Sequence, residues 1–335
     1  MKVLFIGGTG NISSSVSRLA VSKGIELYHL NRGISKNDIK SVKTITGDIY
    51  NISSLPKELF KHKWDAVVNW VAFNQEDIER DLSIFKGKTN QYIFISSASA
   101  YQKPLSYPIV TESTPLYNPF WEYSRNKIKC EDRLLKAYRE ENFPFTIVRP
   151  SLTYDTVIPI AIGGFDEYTT VDRIEREKKI IVHGDGKSLW TVTHADDFAK
   201  GLLGLIGNDH AIGHAFHITS DEILTWDQIY ITLAEALDKK ANIVHIPSDY
   251  ICWFEKSLTG TLLGDKAESV IFDNSKIKSF VPDFKATISF KEGIKRTIAW
   301  FNANPDKKII KPATNKMIDL IISTFEKSLK PIHKT

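Results

Sequence analysis

The sequence predicts an α/β protein, a doubly wound parallel sheet with a smaller, mainly C-terminal substrate lobe. Three observations carry this reading. Short, near-continuous apolar runs alternate with helix-period segments as far as Pro150, the pattern of βαβ units whose helices cover both faces of a parallel sheet. A glycine turn, Gly7-Gly8-Thr9-Gly10, stands between the first run and the first helix. Beyond Arg149-Pro150 the alternation gives way to loop-rich and then mainly helical sequence.

The elements follow in order. Lys2 to Ile6 is an apolar strand, and a helix from Asn11 to Lys23 places Ile12, Val16, Leu19 and Ala20 on one face before Gly24 ends it. Strands follow at Glu26 to Leu30, Val42 to Thr46 and Asp65 to Val71. A helix over Gln75 to Phe85 carries Ile78, Leu82 and Phe85 at helical spacing. Tyr92 to Ile95 is the next strand, a long helix starts near Trp121, and Phe145 to Val148 is the sixth strand. Residues 155 to 180 show no clear strand. His194-Ala195-Asp196-Asp197 leads a helix, Ala215 to Ile218 reads as one more sheet strand, and Ile243 to Ile246 as a short strand. The closing helix, Asn315 to Leu329, carries Ile318, Ile321, Ile322, Phe325 and Leu329 as one apolar stripe. The expected organisation is a Rossmann-like domain over 1–154, with 190–220 returning to it. Segments 155–189 and 221–310 form the substrate lobe, and 311–335 a C-terminal helix.

Bulk properties narrow the class. The 335 residues suffice for a full core and two lobes, and a net charge of +4 without a basic block argues against nucleic acid as a partner. Cys130 and Cys252 are far apart, so neither a disulfide framework nor a metal site is expected. The first apolar run stops at Ile6, too short for a signal peptide, and no stretch approaches the roughly 18 apolar residues of a membrane span. A cytoplasmic enzyme of small molecules fits best, with room for a homodimer.

The chemistry lies in a few positions. Strand, glycine turn and helix N-terminus in succession suit a pyrophosphate: glycine permits the sharp turn and the close approach of backbone N–H groups, and the helix end adds partial positive charge. Tyr123 and Lys127, at i and i+4, share a helix face with Cys130 and Leu134, which therefore points inward. A phenol with an ordinary pKa of about 10 needs help to act as a base at neutral pH, and a nearby ammonium is expected to lower it. Ser97 closes a strand at the sheet edge where ligands of such folds bind, placed to steady a substrate oxygen.

These pieces together resemble the extended short-chain dehydrogenase/reductase family, the NAD-dependent epimerase/dehydratase group. They are Gly-Gly-Thr-Gly-Asn-Ile, Gly47-Asp48-Ile49, Ser96 to Tyr101, Tyr123 with Lys127, Arg149-Pro150, and Gly184-Asp185-Gly186 with His194 to Asp197. The resemblance implies Tyr123 as acid/base, Lys127 on the nicotinamide ribose and Ser97 as their partner. It also implies that Asp48 and Ile49 contact the adenine. The expected cofactor site is Gly7, Thr9, Gly10, Asn11, Ile12, Asn31, Arg32, Asp48, Ile49, Ala72, Lys127 and Pro150, and the expected substrate contacts are Ser99, Trp190 and Trp121, the last equally readable as packing. No metal is implied.

Four departures from the family pattern shape the expectation. The third small position of the turn is Ser13 rather than glycine. Asn31-Arg32 replaces the acidic residue that often holds the adenosine ribose, which leans NAD(P) toward NADP because a 2′-phosphate is not repelled and Arg32 can pair with it. Ala98-Ser99 replaces the Asp-Glu pair of sugar 4,6-dehydratases, which argues against that elimination. Trp190 stands where nucleotide-sugar enzymes have an arginine; tryptophan can stack but cannot neutralise a diphosphate. The expected activity is oxidoreduction or epimerisation at a hydroxyl or keto carbon of a sugar-like substrate, with a nucleotide sugar still open. The alternatives are an NADP-dependent carbonyl reductase and a non-catalytic cofactor- or RNA-binding protein on the same scaffold. Asp196-Asp197 and His194 read as helix-capping and structural groups, Cys130 as an inert thiol.

Overall fold

A computed structural model describes residues 1–34 and 39–329. Seven parallel strands form the central sheet: β1 (Lys2–Ile6), β2 (Glu26–Asn31), β3 (Lys43–Thr46), β4 (Ala66–Asn69), β5 (Tyr92–Ile95), β6 (Phe145–Pro150) and β7 (Ala215–Ile218). Their order is β7-β6-β5-β4-β1-β2-β3. The chain first winds outward from β1 to β3, then crosses back to β4 on the other side of β1. The reversal opens a crevice above the carboxyl ends of β1 and β4, where doubly wound folds take their ligands.

Side chains alternate across each strand and so divide between two layers. Val3 and Phe5 of β1 pack with Val68 and Ile93 under α1 (Asn11–Ser22), whereas Leu4 and Ile6 pack with Val67 and Phe94 under α2 (Gln75–Phe85) and α3 (Glu122–Glu141). A further helix, α4 (Ala195–Leu205), joins α1 on the first face through Phe198 and Leu202. Strand β7 then pairs with β6, Ala215 opposite Ile147, so the chain returns to the sheet after a long excursion.

The second lobe has its own core. It is built on Trp190 of the short strand Leu189–Trp190 and on Trp226, Ile229, Ile294 and Ile318 from α5 (Trp226–Glu235), α6 (Phe290–Ala303) and α7 (Pro312–Ser328). Residues 155–180 are more ordered than the sequence suggests. A short helix, Thr169–Glu175, leads into a strand, Lys179–His183, that pairs in parallel with Asn242–Ile246. The charged stretch between them disguises this, because Arg173 looks solvated but is 1% exposed. Its guanidinium donates to the Lys179 carbonyl, Asn315 Oδ1 and Asp319 Oδ1, which clasps α7 to the lobe. Ile318, Ile321 and Ile322 of α7 are buried, each worth about 1.5–3 kcal/mol, while Leu329 at the end of the expected stripe is 66% exposed. No helix among the described residues is long and apolar enough to cross a membrane, and no cluster among them could hold a metal ion.

Candidate active site

The glycine turn is tied down by serines. Gly7 has φ +84°, and a Cβ there would sit 2.5 Å from Val71 Cγ1, so both conformation and space call for glycine. Ser13 Oγ accepts the Gly10 N–H (2.8 Å) and donates to the Gly7 carbonyl (3.1 Å), so the serine at the third small position closes the turn instead of loosening it. Ser17 Oγ donates to the Gly8 carbonyl and lies 2.9 Å from His29 Nε2. The His29 ring fills the space against which a Gly8 side chain would collide, and burial pulls its pKa down to about 4, so the floor of the site is neutral. No acidic residue occupies the first turn of α1, which leaves the positive end of the helix available to an anion.

Above this turn lies a cavity of about 860 Å³. Its lining brings together seven of the expected cofactor residues: Gly7, Thr9, Gly10, Asn31, Arg32, Asp48 and Ile49. The remaining cofactor positions stand differently. Ile12 is half-buried in the first turn of α1. Asn11 has its side chain committed elsewhere, donating to the Thr153 carbonyl and accepting the N–H groups of Asp155 and Thr156, which leaves only its backbone for a ligand. Ala72 is fully buried and offers its carbonyl to Lys127 Nζ (2.7 Å). Pro150 ends β6, half-buried. Tyr50, a cavity residue absent from the sequence-based set, donates from its hydroxyl to the Val71 carbonyl (2.6 Å) and spans the two sides of the crevice.

The second part of the site stands at the end of β5 and on α3. The inward face of α3 buries Ser124, Lys127, Cys130, Glu131 and Leu134, with Tyr123 half-buried beside them. Lys127, 2% exposed, donates to the carbonyls of Ala72 and Ile95 (2.7 and 2.8 Å). Its ammonium sits 5.7 Å from the centre of the Tyr123 ring. Burial pulls the lysine down to about 8, with Cys130, Glu131 and Asp77 opposing. The expected lowering of the Tyr123 phenol by Lys127 is not present in the protein alone. Burial pushes Tyr123 up to about 12, Ser97 opposes the rise by hydrogen bonding, and Asp265 adds to it. The reason is geometric: Lys127 is spent on two carbonyls, and the low-dielectric pocket disfavours the phenolate. Burial likewise raises the Cys130 thiol to about 12, consistent with an inert side chain.

The three expected substrate contacts fare unequally. Trp121 stands beside Tyr123, ring centroids 5.0 Å apart, and packs against Gly260, where any Cβ would strike its indole. Ser99 does not face the cleft. It is 3% exposed and lies behind Ser97, its Oγ 2.9 Å from Ser97 Oγ and accepting the Ser124 hydroxyl (2.7 Å). Trp190 is no stacking wall. It is 1% exposed in the core of the second lobe, 5.6 Å from Trp226, with Lys103 and Lys266 over its ring, and pairing with Leu224 holds it there. An aromatic covered on this scale offers no surface to a ligand. His194 caps α4 by accepting the Asp196 N–H, and Asp197 accepts the N–H groups of Thr287 and Ile288, so both are structural.

Asn118 escaped the sequence reading altogether. Buried at 1%, it donates to the carbonyls of Ser99 and Gly264 and accepts the N–H groups of Phe120 and Trp121. One amide thus joins the serine turn, the start of α3 and the second lobe. Its only local signal is the Asn118-Pro119 step before a helix. Asp265, near enough to Tyr123 to act on its titration, had none.

Comparison with known proteins fits this geometry. The chain is similar to 2′-dehydrokanamycin reductase of Streptomyces kanamyceticus, 24% identical over 251 residues that cover 75% of this chain and 70% of the relative. It is also similar to the chloroplast stem-loop binding protein of 41 kDa b of Arabidopsis thaliana, 26% identical over 249 residues, 70% of this chain and 63% of the relative. Among solved structures, the UDP-glucuronic acid 4-epimerase of Bacillus cereus in complex with NAD shares the fold with a TM-score of 0.71 at 17% identity, over 94% of this chain and all of that one. The model of the NAD dependent epimerase/dehydratase family matches residues 3–219, which hold nearly all of the sheet, the glycine turn, Ser97, Tyr123 and Lys127. The chain belongs to the NAD dependent epimerase/dehydratase family.

Proposed function

We propose that the protein is an NAD(P)-dependent oxidoreductase or epimerase acting on a hydroxyl or keto carbon of a sugar-like substrate, with Tyr123 as the acid/base. The observation that carries this reading is one juxtaposition: the Tyr123 phenol, interacting with Ser97, stands over a buried Lys127 whose carbonyl partner Ala72 follows Val71, a wall of the 860 Å³ cavity. A nicotinamide bound here would supply a hydride acceptor or donor and, when oxidised, positive charge to the site. The chain's own residues do the rest. Gly7, Gly10 and the N-terminus of α1 would hold the pyrophosphate, and Asp48, Ile49 and Tyr50 would line the adenosine end. Lys127 orients the nicotinamide ribose. Tyr123 takes the proton of a substrate hydroxyl as the carbon is oxidised, or returns it as a carbonyl is reduced, while Ser97 donates to the same oxygen.

The finer readings rest on particular residues. Asn31 and Arg32 at the end of β2 favour NADP(H), because no carboxylate there repels a 2′-phosphate. Ala98 and Ser99 carry no carboxyl, which favours simple hydride transfer over elimination of water. Similarity to an aminoglycoside reductase on one side and a UDP-sugar epimerase on the other keeps the substrate at the level of a sugar or glycoside. Tyr123→Phe tests the proposal. Turnover should fall by roughly 10²–10⁴-fold with cofactor affinity retained, the usual worth of a general acid/base. Undiminished turnover would remove Tyr123 from the chemistry.

A further inference from the structure

A hydroxyl has one proton and two lone pairs, so filling both lone pairs dictates where the proton goes. Ser97 is in this situation. Its Oγ accepts the Ser99 N–H at 3.2 Å and lies 2.9 Å from Ser99 Oγ. Between two hydroxyls either can donate, but the direction here is settled one step further back. Ser124, fully buried on the inward face of α3, donates its proton to Ser99 Oγ at 2.7 Å. With Ser124 as the donor, the acceptor left for the Ser99 proton among the partners of its hydroxyl is Ser97 Oγ, so Ser99 turns its proton there. Both lone pairs of Ser97 are then occupied, and its proton is left for the group in front of it, the Tyr123 oxygen or a substrate oxygen. We infer that Ser124 and Ser99 are positioning residues that lock Ser97 as a hydrogen-bond donor toward the reacting oxygens.

The surroundings keep the chain of hydroxyls in register. Asn118 holds the Ser99 carbonyl at 2.9 Å and the N–H groups of Phe120 and Trp121 at 3.1 Å, so the serine turn and the helix start that carries Tyr123 and Ser124 move as one piece. Ser99 is 3% exposed and Ser124 is not exposed, so water does not compete for their protons. A donor fixed in advance stabilises oxyanion character without reorienting during the reaction. It also favours the tyrosinate over the phenol, because a hydrogen bond to the charged form lowers a pKa. Removing the Ser124 hydroxyl removes the donor that sets the direction, so the Ser97–Ser99 bond can run either way and the Ser97 proton is no longer held toward the cleft. Removing the Ser99 hydroxyl empties one lone pair of Ser97 and loosens its orientation.

This inference rests on the reading of Tyr123 as the reacting acid/base, and the test separates the two. The phenol of Tyr123 is titrated by ultraviolet difference spectroscopy in the full chain loaded with NADP⁺, with Tyr123→Phe as the blank, in the wild type and in Ser97→Ala, Ser99→Ala, Ser124→Ala and Ser124→Thr. Ser97→Ala should move the titration upward by roughly one to two units, the scale of one hydrogen bond to a charged group, and Ser99→Ala and Ser124→Ala should each move it in the same direction. Ser124→Thr, which keeps the hydroxyl, should return it toward the wild-type value. An upward shift in Ser97→Ala alone would overturn the positioning role of the two serines behind it. An unchanged titration in all the alanine variants would overturn it as well. Because the readout is the phenol itself, loss of turnover in Tyr123→Phe tests the function separately.

Discussion

Two buried cations lie against α3, each near a tyrosine ring, and they are treated in opposite ways. Arg149 on β6 is gripped by Glu131 through Nε (3.0 Å) and Nη2 (2.5 Å), and Ser96 donates to the same carboxylate. Its guanidinium lies 4.8 Å from the Tyr101 ring, and the Tyr101 hydroxyl lies 2.9 Å from His217 Nδ1 on β7. Lys127 on α3 meets two neutral carbonyls and no carboxylate at bonding distance. The Glu131 carboxylate raises the arginine far above its ordinary value, while burial pulls the lysine down to about 8. A cation whose charge is answered inside the protein belongs to the scaffold. A cation left unanswered next to an open cavity is held ready for a ligand, the pattern expected of a functional site.

The contrast can be broken at the arginine first. Glu131→Ala leaves the Arg149 charge buried and unpaired, which should cost about 3–5 kcal/mol of stability. Chemical denaturation would read it as a lowered midpoint, and an unchanged midpoint would mean that the pair is not what joins β6 to α3. The second effect is acid lability. His29 and His183 are held near 4 in the folded protein by burial, against an ordinary 6.5. The unfolded chain therefore binds protons between these values that the folded chain refuses. Stability present above about 6.5 is lost as the pH falls toward 4, by roughly 3 kcal/mol for each histidine. Thermal midpoints across this range should fall with pH in the wild type and fall less in His29→Gln.

How far these two regions were legible in the sequence differs for a physical reason. The cofactor end was visible because its parts are consecutive: β1, the turn at Gly7 and the first turn of α1 lie within one short stretch, Asn31 ends β2 and Asp48 follows β3 closely. The parallel sheet followed from alternation, while the order of its strands came only with the structure. The substrate end is assembled from Ser97, Asn118, Tyr123, Gly260 and Asp265, residues with no shared local pattern, so pairing across the lobes had to be seen. Trp190 shows the limit most clearly. Its residue type suggested stacking, yet pairing between Leu189–Trp190 and Leu224–Thr225 carries it into the core. Ser13 shows the reverse, a departure from pattern that the turn uses. Arg173 and Asn118 were invisible because charge and amide side chains read as surface until their partners are known.

The smallest expected effect concerns the cofactor alone. Arg32→Ala should weaken NADP(H) by roughly 1.5–3 kcal/mol, the worth of a hydrogen bond to a charged group, and leave NAD(H) nearly unchanged. Paired titrations by intrinsic fluorescence would separate the two. An equal loss for both cofactors would remove the preference argued from Asn31 and Arg32.

The central claim is that the cavity, Lys127 and Tyr123 form one hydride-transfer site. It is tested most directly with NADPH, and in parallel NADH, carrying deuterium at the transferable position, incubated with a panel of keto sugars and glycosides. Mass spectrometry of the products should find deuterium on the reduced carbon with the wild type and none with Tyr123→Phe. Saturable cofactor binding with no deuterium transferred to any carbonyl would contradict it, and the fold would then serve binding without chemistry.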